Sequence, residues 1–375
     1  MARIPARTRG SREDWGSKVV KERVSRLISS FGELGIDALL VTKPQNVRYV
    51  TGFSGSTGAC LVRKDGSGVF VTDPRYDVQA AEEVEGFQVV VTRDPALKEA
   101  GKRAADEGIG SLGIEGAHMT VLARKELAEV APDARMVETD RVIEHVRSIK
   151  EESEIDLIRQ AASIADAALE AVLPVIAEGV AELDIAIELE YQMRKLGGEK
   201  VGFDTIVASG PRAAMAHGVA GRRRLQPGDP VVMDFGCFYG GYTSDMTRTV
   251  FVGTPSPEMR RVYEVVLRAQ TAACETLKAG MTGKEADAVA RSIIEEAGYG
   301  DRFGHGLGHG VGLEVHEYPL VSSRNERPMH ASSVVSVEPG IYLPGLGGVR
   351  IEDLVVIRPG GIENLTSSSK ELICL

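Results

Sequence analysis

The chain has 375 residues, more than the ~100–200 of one typical domain, so two domains are expected. Hydrophobic residues make up 43% and charged residues 26%, an ordinary globular composition, and no apolar run reaches the ~18–20 residues of a membrane helix. A net charge of −10 repels phosphate backbones, which argues against a nucleic-acid surface, while the acidic surplus suits the holding of cations.

In chain order, the opening "MARIPARTRGSREDWGSK" lacks the apolar core and cleavage site of a secretory signal. Residues 1–17 are therefore expected to form a flexible lead-in, and the protein to reside in the cytoplasm. Residues 18–142 read as an α/β domain. Val20, Val24, Leu27, Ile28, Phe31 and Leu34 recur at helical spacing and stop at Gly35. A strand "IDALLVTK" follows, then "ACLVR" and "GVFVTD" joined through Asp65-Gly66 as a hairpin. Helical "PRYDVQAAEEV", strand "QVVVTR", helical "PALKEAGKRAADEG", strand "LGIEG" and helical "TVLARKELAEVA" complete it. Nothing in it concentrates metal-binding side chains. Cys60, Cys237, Cys274 and Cys374 stand far apart without a CxxC pair, which argues against a zinc ribbon and a disulfide scaffold.

Residues 143–375 have a different texture. Long amphipathic helices run through "SIKEESEIDLIRQAASIADAALEAVLPVIAEG", "AELDIAIELEYQMRKLG", "SPEMRRVYEVVLRAQTAACETLKAG" and "TGKEADAVARSIIEEAG". Between and after them, strands follow one another through turns, which suggests an α+β domain with a largely antiparallel sheet.

Two stretches set carboxylates inside apolar strands. Asp234 and Asp245 flank a glycine-rich turn in "VVMDFGCFYGGYTSDMTRTVFV", and Glu338 and Glu352 flank another in "VVSVEPGIYLPGLGGVRIEDLVVI". A buried ionised carboxylate is costly unless paired or bound to a metal. Only Arg248 and Arg350 lie close in sequence, too few to balance four. "GHGLGHGVGLEVHE" adds three histidines. Its alternating glycines each cost a helix about 1 kcal/mol, so it reads as a strand. Period two then puts His305, Leu307, His309 and Val311 on one face, and His316 joins them only if the chain bends or bulges. Oxygen-rich ligation with one imidazole suits manganese or iron, and also cobalt or zinc. Four carboxylates suit two ions, roughly 3.5–4 Å apart.

Asp234, Asp245, His309, Glu338 and Glu352, in "MDFG", "SDMTRT", "GHGLGHGVGLEVHE", "VEPGIY" and "RIED", resemble the five ligands of the pita-bread metallopeptidases. That family includes methionine aminopeptidase, aminopeptidase P, prolidase and the metal-free creatinase. "SIKEESEIDLIRQAA" resembles the helix opening its catalytic domain. "NVRYVTGFSGS" and "TDPRY" resemble the amino-terminal domain of its proline-specific branch. The resemblance implies a C-terminal pita-bread catalytic domain, with a curved, largely antiparallel sheet covered by helices, behind a smaller creatinase-like α/β domain. It further implies an exopeptidase with two divalent ions, manganese foremost, that cleaves between an amino-terminal residue and proline. By it Asp234 chelates one ion, Asp245 and Glu352 bridge both, and His309 and Glu338 complete the second. Glu338 would shuttle a proton, His316 donate to the oxyanion, His217 and His305 line the pocket, and Arg350 steady Glu352 and its neighbours. Chains of this branch commonly pair, so a homodimer is expected.

Xaa-Pro dipeptides and longer peptides with proline second both remain open. Arg324 and Arg327 lie where a cation could capture a dipeptide's carboxylate, although both read better as surface arginines. A metal-free creatinase-like amidinohydrolase and a noncatalytic module of the same fold are the alternatives. Relatives of those kinds lose ligands, and this chain fills all five positions.

Overall fold

The computed structural model describes residues 9–375, with side chains from residue 19 onward, and residues 1–8 of the expected lead-in lie outside the described residues. The first helix runs from Arg9 to Ile28, so it begins inside the expected lead-in. No apolar periodicity precedes Val19 to mark that start. A separate turn of helix, Phe31–Leu34, ends at Gly35, whose φ of 63° suits glycine. The chain divides between Arg147 and Ser148 into two compact units.

In the first unit, β1 (Ala38–Val41), β2 (Ala59–Arg63), β3 (Gly68–Thr72), β4 (Gln88–Val91), β5 (Ser111–Glu115) and β6 (Arg135–Thr139) form one six-stranded sheet, ordered β4-β3-β2-β1-β5-β6. The β2–β3 hairpin pairs Ala59 with Val71 and Val62 with Gly68, and it turns at Gly66 with φ of 84°. β1 is antiparallel to β2, whereas β4, β5 and β6 join in parallel through helical crossovers. Leu40, Leu61, Val71 and Ile114 are buried in the sheet's core, with Ala100, Ala104 and Leu127 from the helices Ala96–Asp106 and Val121–Val130. Each such Leu, Ile or Val contributes about 1.5–3 kcal/mol by leaving water.

The second unit is built twice over from a helix pair and sheets. Helices Glu152–Val172 and Glu182–Lys195 pack Ile164, Ala165, Ala168, Ile185 and Leu189 against strand residues Val207, Val231, Met233, Phe235 and Val250. Helices Pro257–Thr276 and Gly283–Glu296 pack Val262, Val266, Ala269, Ala290 and Ile294 against Val335, Val337, Ile341, Val349 and Val355. Local chemistry sets the starts of the second pair. Ser256 caps the backbone N–H of Met259 ahead of Pro257, and Thr282 with Glu285 closes a reciprocal capping box.

The strands are β7 (Lys200–Val201), β8 (Ile206–Ser209), β9 (Pro230–Phe235), β10 (Cys237–Tyr239), β11 (Tyr242–Thr243) and β12 (Met246–Phe251) in the first half. The second half has β13 (Gly308–Gly310), β14 (Glu317–Val321), β15 (Val334–Val337), β16 (Gly340–Leu343), β17 (Gly347–Arg350), β18 (Asp353–Arg358) and β19 (Gly361–Asn364). They assemble as β12-β9-β8, β11-β10-β7, β14-β13-β15-β18-β19 and β16-β17. Among the described residues every pairing between these strands is antiparallel, as the α+β reading expects.

The histidine-rich segment departs from its expected form. Before Glu317, which opens β14, only Gly308–Gly310 is strand, and Leu307 and Val311 are fully buried in the apolar core, away from His305 and His309. The register slips between His309 and Gly310, so that His309 faces Leu320 but Gly310 faces Glu317. A bulge of this kind breaks the two-residue alternation. His316 itself lies in the bend over residues 312–316, between β13 and β14. Close backbone approach explains two of the glycines, since a Cβ on Gly308 would overlap the Ser336 carbonyl and one on Gly310 the Tyr318 carbonyl.

Candidate active site

Strand ends bring the carboxylates together. Asp234 lies on β9, and Asp245 immediately precedes β12, whose Met246 pairs with Phe235. Glu338 follows β15 directly, and Glu352 sits between β17 and β18. His309 enters from β13. One cavity of about 520 Å³ is lined by all five, and by His217, His305, His316 and Arg350 as well. Every site residue expected from the sequence therefore reaches the same space.

Within it, Asp245, His309 and Glu352 each offer a donor atom, all within 4.8 Å of one another. His309 Nε2 lies 3.1 Å from Glu338 Oε1 and 3.7 Å from Asp245 Oδ2. Its Nδ1 is 3.1 Å from the Gly310 carbonyl. A ring that donates there presents a lone pair on Nε2 to the carboxylates. His305 differs, because both its nitrogens are engaged, with Gly306 O at 2.8 Å and the Tyr342 hydroxyl at 2.9 Å. The His316 ring stands 4.1 Å from the His309 ring, centroid to centroid.

Polar partners orient the carboxylates. The Thr247 hydroxyl donates to Glu352 Oε2 at 2.7 Å, and the Ser336 hydroxyl donates to Glu338 Oε1 at 3.0 Å. Arg350 donates to Asp234 Oδ2 at 2.6 Å and to Thr247 Oγ1 at 3.0 Å, so it reaches Glu352 only through Thr247. Arg248, the other nearby cation, serves elsewhere, donating to Asp353 at 2.7 Å. Sequence reasoning missed Tyr342, Thr247 and Ser336. Tyr342 stands inside the quoted "VEPGIY", but a tyrosine in an apolar strand reads as core.

The charge balance is unfavourable without a cation. Burial, reinforced by Glu352, Asp234 and Glu338, pushes the Asp245 carboxyl well above its ordinary range. Burial, with Glu338 and Asp234, does the same to Glu352. Asp234 is raised by burial although Arg350 opposes it, and its Oδ1 is buried with no hydrogen-bond partner. Burial lowers His309, yet the hydrogen bond and charge of Glu338 outweigh it and hold the ring up at about 9. Such crowding, an orphaned carboxylate oxygen and one imidazole fit divalent metal ions.

The profile of metallopeptidase family M24 matches residues 156–359, and that of the creatinase/prolidase N-terminal domain matches residues 23–149. The chain belongs to metallopeptidase family M24. It thus has the two-domain α+β pita-bread architecture, and divalent metal ions are implied for it. The Xaa-Pro dipeptidase of Pyrococcus horikoshii is 42% identical over 95% of this chain and 99% of its own. The solved structure of a Xaa-Pro dipeptidase from Bacillus anthracis is 44% identical, with a TM-score of 0.92 over 95% of this chain and 100% of that one. That of an X-Pro aminopeptidase from Thermotoga maritima is 40% identical, with a TM-score of 0.86 over 94% and 99%. Neither the metal-free hydrolase nor the noncatalytic module finds support in these likenesses.

Proposed function

We propose that this M24 chain is a dinuclear metal-dependent exopeptidase that hydrolyses the bond between an amino-terminal residue and proline. The observation that carries this reading is the convergence of Asp234, Asp245, His309, Glu338 and Glu352 in one cavity. Likeness over nearly the whole chain to a Xaa-Pro dipeptidase and an X-Pro aminopeptidase supports the choice of bond.

In this reading Asp234, Asp245, His309, Glu338 and Glu352 would together hold the ions. When bound, the ions supply an activated water near neutral pH and polarise the scissile carbonyl. Glu338, steadied by the Ser336 hydroxyl, carries a proton from the attacking water to the leaving imino nitrogen. His316 donates a hydrogen bond to the oxyanion. Arg350 holds Asp234 and, through Thr247, orients Glu352. His217 and His305 line the proline pocket, with His305 fixed by Tyr342.

Chelation is expected to abolish activity and manganese or cobalt to restore it, with elemental analysis finding close to two ions per active chain. Active enzyme without metal would sink the proposal. Manganese is the favoured ion because the donors are mostly oxygen, and cobalt, zinc and iron are the ones to compare with it.

Cytoplasmic residence belongs to the same reading. Cys60, Cys237, Cys274 and Cys374 are all unpaired, as in a reducing compartment. Among the described residues no helix is long and apolar enough to cross a membrane. A homodimer is proposed from the resemblance to the proline-specific branch. Light scattering at micromolar concentration should give twice the 40.2 kDa chain mass, and a fully active monomer would contradict it.

A further inference from the structure

We infer that the cavity accepts peptides continuing beyond proline and, among the described residues, has no lysine or arginine to clamp a dipeptide's free carboxylate, Leu320 standing where such a clamp would reach in; this rests on the Xaa-Pro reading.

A carboxylate drawn out of water needs a cation or several charge-assisted hydrogen bonds in exchange. Among the described residues that line the cavity, Arg350 is the only lysine or arginine. Its side chain is 3% exposed and already engaged. Nε donates to Thr247 Oγ1 at 3.0 Å, one terminal nitrogen to Ala216 O at 3.1 Å and Tyr342 Oη at 2.8 Å, and the other to Asp234 Oδ2 at 2.6 Å. A guanidinium has five N–H donors, so one is left, too few to grip a carboxylate with the usual two parallel bonds. Turning Arg350 toward substrate would strand the buried Asp234.

The other cations near the motif do not help. Arg324 and Arg327 are exposed and neither lines the cavity. The lining carries five carboxylates, Asp204, Asp234, Asp245, Glu338 and Glu352. Four of them are assigned to the ions, and Asp204 is exposed at the wall, where it repels a further anion.

Leu320 occupies the telling position. It lies opposite His309 across the β13–β14 ladder, lines the cavity, and is 40% exposed. A long cationic side chain there would have both the reach and the solvent-side room to meet a carboxylate beside the centre. An apolar side chain leaves that route to a continuing chain, whose next peptide group carries no charge.

The test compares Ala-Pro, Ala-Pro-NH2 and Ala-Pro-Ala on the full-length, metal-loaded enzyme. The amide and the tripeptide are expected to match or exceed Ala-Pro in kcat/KM. If Ala-Pro is instead preferred about tenfold or more over both, a carboxylate is being captured. The inference then fails while the Xaa-Pro reading stands. If none of the three is cleaved, the Xaa-Pro reading fails and this inference falls with it. Leu320→Arg should lower KM for Ala-Pro, relative to Ala-Pro-NH2, by about tenfold, the gain of one charge-assisted hydrogen bond. An unchanged ratio in a folded, metal-loaded variant would overturn the role given to Leu320.

Discussion

His309→Ala is expected to lose bound metal and activity together, whereas His316→Ala should keep its metal and lose turnover. The difference follows from what each ring touches. His309 gives Nδ1 to the Gly310 carbonyl and turns Nε2 toward Glu338 and Asp245. Removing even a residue that only supports a metal ligand typically costs ~10–100-fold in affinity, so removing the ligand itself should cost more. Neither His305 nor His316 is placed to substitute. Both nitrogens of His305 are engaged, with Tyr342 and Gly306. His316 shares the cavity but is absent from the donor set of Asp245, His309 and Glu352. A lost oxyanion donor costs roughly 10²–10³ in rate, and that is the size expected for His316→Ala. Metal content and kinetics measured side by side decide the matter. A His309→Ala protein with its full metal complement, beside a His305→Ala protein lacking one ion, would reverse the assignment.

Why the cluster was legible in the sequence, and its surroundings less so, is a matter of range. Asp234, Asp245, Glu338 and Glu352 stood out because apolar strands rarely carry unpaired acids, a property each segment shows by itself. The histidine segment misled where a local rule met a tertiary feature. Period two put Leu307 and Val311 beside the histidines, but strand geometry holds there only over Gly308–Gly310, and Leu307 before it and Val311 after it are buried in the core. In the first unit, β6 and the helices Pro44–Thr51 and Val142–Arg147 went unread. β6, "RMVET", has only a two-residue apolar core, Met136 and Val137, between polar residues, too short for periodicity to register.

The two arginines show the same limit more sharply. Arg248 and Arg350 looked equivalent in sequence, each close to a strand carboxylate. In the structure Arg350 reaches Asp234 across 116 residues and Arg248 reaches Asp353 across 105. Which acid a cation meets depends on strand pairing, and Thr247–Asp234 facing across β12 and β9 is not written in either segment.

The pair Glu352-Asp353 leads to the second large effect. Consecutive residues on extended backbone point to opposite sides, so Glu352 turns to the cavity and Asp353 away from it. Asp353 is fully buried and accepts from Arg248 at 2.7 Å, Lys370 at 2.7 Å, Gln270 at 3.0 Å and Asn364 at 2.9 Å. Burial alone would raise its carboxyl, but Arg248 and Lys370 hold it below the usual range. Arg248 in turn donates to the carbonyls of Ser368, Ser369 and Glu352, tying the C-terminal segment to the backbone of a proposed metal ligand. Asp353→Ala strands the buried Arg248 without its carboxylate, and breaking a buried pair in this way costs about 3–5 kcal/mol. Asp353→Asn keeps the volume but fails as a rescue. One orientation of its amide aims N–H groups at Lys370, Gln270 and Asn364, and the other aims them at Arg248. Denaturant unfolding of residues 148–375 within the full chain, followed beside metal titration, should therefore find both variants destabilised by several kcal/mol and weakened in metal binding. An asparagine variant within about 1 kcal/mol of the parent would mean that shape alone holds this side of the site, and that the charge of Asp353 contributes little.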